Sequence, residues 1–159
     1  MIGKFKILAR VKATREDAAL RAMTAKREEL RRAHLVQDQR KQAVEESEAT
    51  LGERETAIYQ PIMRKPVKHQ AIDETKEKVV RLQKTHQCLK DELEMAVQQC
   101  LRLAREEEDA RLAYQAAQKT REKYDTMLED MRVEHAMTAE RNEEAEIEDL
   151  FCKAQSVPL

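Results

Sequence analysis

The 159-residue chain has no tryptophan, only two phenylalanines (Phe5, Phe151) and only two glycines (Gly3, Gly52). A thick globular core needs large aromatic and β-branched side chains in quantity, and their scarcity excludes one here. Cysteine is nearly as rare. Cys88, Cys100 and Cys152 are odd in number and have no CxxC spacing. That argues against a disulfide framework and a zinc site, and suits a reducing compartment. No apolar stretch approaches the ~20 residues needed to span a bilayer. The opening MIGKFKILARVKATRED meets charge every few residues and lacks the apolar run of a signal peptide. These absences predict a soluble, cytoplasmic protein. The net charge of −1 excludes a polyanion binder that acts through overall charge.

What the chain has is charge and periodicity. Charged residues make up 38% of it, a composition shared by long helices and by disordered chains. Heptads decide for helices. In the first half, positions seven apart run Ala9, Glu16, Met23, Leu30, Gln37, Val44, Leu51, Ile58, with Ala19, Ala33 and Ser47 on the companion seam. In the second half, one seam reads Ile72, Val79, His86, Leu93, Cys100, then Tyr114 and Leu128. The other reads Leu82, Leu89, Ala96, Leu103, Ala110, Ala117, Tyr124, Met131. A 3.5-residue period of this kind is the pattern of a left-handed coiled coil. Glu16, Gln37, Glu107 and Arg121 fall on core positions as polar gaps, which cost stability but can fix register.

Proline interrupts the interior once. Pro61 and Pro66 stand five residues apart, and each removes a backbone donor and disfavours helix before it. The expected fold is therefore all-α: a long antiparallel two-helix coiled-coil hairpin over 1–159. Helix one covers about 5–59, a proline-containing loop about 60–69, and a longer second helix about 70–155. Folding about the loop midpoint sets residue i opposite 130 − i. Residues after about 129 then form an unpaired C-terminal overhang with a fresh apolar stripe, Ile147, Leu150, Phe151 and Ala154. An unpaired apolar stripe needs a partner.

Charge is distributed unevenly. Residues 1–41 carry twelve bases against five acids (+7), and residues 129–149 carry nine acids against two bases (−7). Such blocks serve as solvated helix faces or attract an electrostatic partner. The basic segment is interleaved with the heptads and lacks aromatics for base stacking, so nucleic acid is not the expected partner. Met1 to Val11 is mildly amphipathic, which fits a protein-docking tip as well as a membrane surface, and membrane insertion is not expected. There is no Gly-rich phosphate loop, no HExxH and no Ser-His-Asp arrangement, and a fold two helices thick offers no walled pocket. His86 and His135 read as seam residues and Cys100 as a core filler. No catalytic, cofactor-binding or metal-binding residue is assigned, and no cofactor is expected.

The segment from Phe5 to Ala19, FKILARVKATREDAA, resembles the opening of the YscO/FliJ family of type III secretion stalk proteins. An aromatic, an apolar-rich turn and a basic turn lead into Arg15-Glu16-Asp17-x-Ala19. Length, a two-helix plan and a longer charged second helix match over the whole chain. The resemblance implies a cytoplasmic, non-enzymatic protein-transport and virulence component at the base of a bacterial secretion apparatus. Family members look like the coiled-coil part of the rotary-ATPase γ subunit and sit in the hexameric export ATPase. On that reading Phe5, Leu8, Arg10, Val11 and Arg15 meet the ATPase. Tyr59, Ile62, Met63 and Val67 meet the cytosolic domain of the export gate, although ordinary closure of the hairpin end explains that patch equally well. Ile147, Leu150 and Phe151 are a third partner surface, and escort chaperones are further candidate partners. A stalk of this kind is monomeric alone. The alternative is a generic coiled-coil scaffold or cargo adaptor that self-associates.

Overall fold

The computed structural model describes residues 2–155, and the side chains of residues 3–148 and Leu150. The chain is all-α, a two-helix hairpin. Helix α1 spans Ile2–Tyr59, a 3-10 turn spans Gln60–Ile62, and α2 spans His69–Gln155. None of the described helices is long and apolar enough to cross a membrane. Packing divides the chain into two units, Met1–Met23 with Ala110–Leu159, and Thr24–Asp109.

In the second unit the heptad positions are the covered ones. Val44, Val79, Leu82, Cys100 and Leu103 are buried, with Leu30, Leu51, Leu89 and Ala96 half-buried beside them. Cys88 is exposed. The register differs from a fold about the midpoint. Ser47 Oγ meets His86 Nδ1 at 2.9 Å, three residues further along α2 than 130 − i places it. Arg40 pairs with Glu92 at 2.6 Å and Lys26 with Glu106 at 2.8 Å, each two residues further along. The turn explains the shift. The chain winds on through Gln60–Ile62 after α1 ends, so the reversal falls late in the loop. The shift also sets first-seam positions level with second-seam positions, Leu30 with Leu103, Val44 with Leu89 and Leu51 with Leu82.

His86 and Ser47 are both buried, and each supplies the other's polar partner in the seam. Ser47→Ala leaves the His86 ring nitrogen buried without its partner, at an expected cost of about 1–3 kcal/mol. Adding His86→Leu should recover most of that loss in urea unfolding followed by circular dichroism. A neutral Ser47→Ala would show that solvent reaches the pair.

The turn itself is strained at one residue. Met63 N–H donates to the Tyr59 and Gln60 carbonyls, and Arg64 follows with φ 59°, the left-handed region. A side chain there costs about 1–2 kcal/mol, part of which is offset because glycine loosens the unfolded chain. Arg64→Gly should therefore raise stability by about 0.5–1 kcal/mol in the same unfolding assay. A lower midpoint would mean that Arg64 makes a compensating contact.

In the first unit the seam is thinner and more polar. Ala9, Met23 and Leu128 are buried with Glu16, and Ala19, Ala110, Ala117 and Met131 are half-buried. Two of the seam's polar gaps answer each other: Arg121 Nη1 donates to Glu16 Oε2 at 2.9 Å, and Arg121 Nε to Asp125 at 3.2 Å. From Arg132 to Leu150 every described side chain is exposed, and α2 remains helical throughout. His135 therefore stands in solvent, unlike His86 on the same seam.

Candidate functional surfaces

Exposed surfaces, rather than cavities, are what this fold can offer a partner. No group of three or more His, Cys, Asp or Glu that could hold a metal occurs among the described residues. Burial, with a smaller contribution from Asp38, pushes the Cys100 thiol above its ordinary value, which leaves it a poor nucleophile.

The basic terminal patch divides into two parts. Leu8 and Val11 are 43% and 42% exposed, with Arg10 and Arg15 exposed near them. They are available anchors in a basic surround. Phe5 is half-buried instead, its ring 6.1 Å from that of Tyr124 and tilted by 35°. Lys12 Nζ lies 5.2 Å from the centre of the Tyr124 ring, a cation–π arrangement. Tyr124 thus organises the start of α1. Its place on the second α2 seam is the signal for that role, although periodicity alone marks it only as core.

At the turn, Tyr59 and Ile62 are half-buried while Met63 and Val67 are exposed. The first two close the end of the helix pair, and the latter two face solvent. In the C-terminal segment Ile147 and Leu150 are 54% and 68% exposed, and the side chain of Phe151 lies outside the described residues.

Inter-helix ion pairs decorate the second unit. Lys26 bridges Glu106 and Glu29. Its hydrogen bond to Glu106 raises the Lys26 ammonium above its ordinary value, and the Lys26 bond lowers the Glu106 carboxyl below its own. The Glu106 contribution is present above the ordinary carboxylate range and is lost as pH falls through the lowered value. The Lys26 contribution is complete below the ordinary lysine value and is lost as pH rises through the raised one. Both side chains are half-buried, at 34% and 39% exposure, and still within reach of solvent, so between those limits Lys26→Met should change stability little, and less still at high salt. A thermal melt at neutral pH with and without added salt checks this.

The molecule is a pair of packed helices with exposed apolar and charged patches. A family model for the type III secretion protein YscO matches residues 5–153. The chain belongs to this family of structural secretion-apparatus proteins. No curated protein and no solved structure matches it.

Proposed function

We propose that this protein is a non-enzymatic stalk or adaptor of a type III secretion export apparatus. It links the hexameric export ATPase to the cytosolic domain of the export gate at the cytosolic base of the machine. Escort chaperones are candidates for further contacts. The observation that carries this reading is the match to the YscO family, supported by exposed apolar side chains both near the start of α1 and at the turn. Leu8 and Val11 lie near the start of α1 among Arg10 and Arg15, and Met63 and Val67 lie at the turn. An adaptor transmits only if each end makes differential contacts with its own partner.

The basic start of α1, with Leu8, Arg10, Val11 and Arg15, is assigned to the ATPase, and Phe5 supports it from its place on Tyr124. Met63 and Val67 are assigned to the gate, with Tyr59 and Ile62 holding the turn. The test is ATP turnover by the purified cognate export ATPase with increasing amounts of this protein, together with the stoichiometry of the complex. Stimulation that saturates at one chain per hexamer is expected. A protein that neither binds nor stimulates the ATPase removes the stalk reading and leaves the self-associating scaffold in its place.

A further inference from the structure

Two stripes that the hairpin seam does not use share one spacing. On α1, beside the buried Ala9, Glu16 and Met23, the exposed residues Leu8, Val11, Arg15, Ala18 and Ala22 recur at intervals of three and four. On the exposed stretch of α2, Val133, Ala136, Glu140, Glu143 and Ile147 recur at the same intervals, on a face turned away from the seam positions Leu128 and Met131. Each stripe is apolar or small at its ends. The centre of the first is basic and the centre of the second acidic. The surroundings match, since residues 1–41 carry a balance of +7 and residues 129–149 one of −7.

We propose that the acidic segment of α2 packs on the basic α1 face of a second copy of this chain. Within the first unit α1 and α2 run in opposite directions, so the α2 segment continues past the start of its own α1 and away from the α1 face. A partner related by a two-fold axis, tip to tip, presents its α1 running in the same direction as that segment. Val133 then lies level with the partner's Leu8, Glu140 with the partner's Arg15, and Ile147 with the partner's Ala22. The small residues Ala18 and Ala22 let the helices approach closely, and the Arg15–Glu140 pairing penalises other registers. The two-fold repeats the contact, which closes the assembly at two chains. Two helical contacts of about four turns each are on the order of the ~1,600 Å² that a stable interface buries.

This dimer covers Leu8, Val11 and Arg15, the residues assigned above to the ATPase. It is therefore a resting form that the ring must displace. A resting dimer departs from the monomer expected of a stalk alone. ATPase stimulation and its stoichiometry, not self-association, therefore separate stalk from scaffold, and failure of the dimer leaves the stalk reading intact.

The experiment is sedimentation equilibrium of the full chain at tens of micromolar and low salt. The wild type should run at about twice the 18.6 kDa chain mass and fall toward one chain as salt rises. Arg15→Glu alone and Glu140→Arg with Glu143→Arg should each run as a single chain. An equimolar mixture of the two variants should return to the dimer mass, because each then offers the other an opposite charge. Circular dichroism should show unchanged helicity, since all three side chains are exposed. A monomeric wild type at low salt overturns the proposal. So does a dimer that survives both charge reversals, or a mixture of variants that stays monomeric.

Discussion

Leu103→Ala is expected to lower the unfolding free energy by about 2–3 kcal/mol, near the low end of core truncations. Leu103 is 6% exposed and lies level with Leu30 on the facing helix. Truncation removes the transfer energy of its methyl groups and opens a void between two helices that have no third layer behind them. Such a thin core relaxes more easily than a globular one, which keeps the cost modest. Leu101→Ala is the control. That side chain is 50% exposed, two residues away on the same helix, and its loss should stay within about 0.5 kcal/mol. Urea unfolding of both variants by circular dichroism separates them. Equal costs would mean that the seam runs elsewhere on α2.

Leu8→Ala with Val11→Ala is expected to abolish most stimulation of the export ATPase, whereas Arg10→Ala with Arg15→Ala should reduce it less. The two apolar side chains are exposed on the single chain and gain burial on docking, the usual position of interface hot spots. Exposed charge pairs are worth about 0–1 kcal/mol each, so no single arginine should decide binding. The arginine pair should instead steer encounter, and its loss should flatten the salt dependence of stimulation. Phe5→Ala is a less clean probe, because it also removes the packing on Tyr124. The assay is ATP turnover at two salt concentrations with each variant. Full stimulation by the Leu8–Val11 variant would move the docking face elsewhere on the chain.

The heptads locate the helices and the side of each that is covered, and the prolines locate the break. Apolar side chains at 3.5-residue spacing in a charged chain have one way to leave water, and two prolines in six residues stop the helix between them. The opening FKILARVKATREDAA likewise points to the secretion family, and the family match over residues 5–153 agrees with it. Pairing across the hairpin was not legible in the same way. A heptad repeat says which face is buried but is indifferent to a slide along the partner, so the two- to three-residue shift that brings Ser47 to His86 depended on how far the turn winds past Tyr59. The polar gaps show the same limit. Glu16 and Arg121 looked like separate flaws in two seams, and only the packed helices make them a pair. Phe5, which the family resemblance places in the terminal docking patch, is half-buried because Tyr124 reaches it from the other helix. Periodicity is a property of one helix and can be read along it. Register, ion pairing and the partial burial of Phe5 are properties of two helices together, and the tertiary structure decided them.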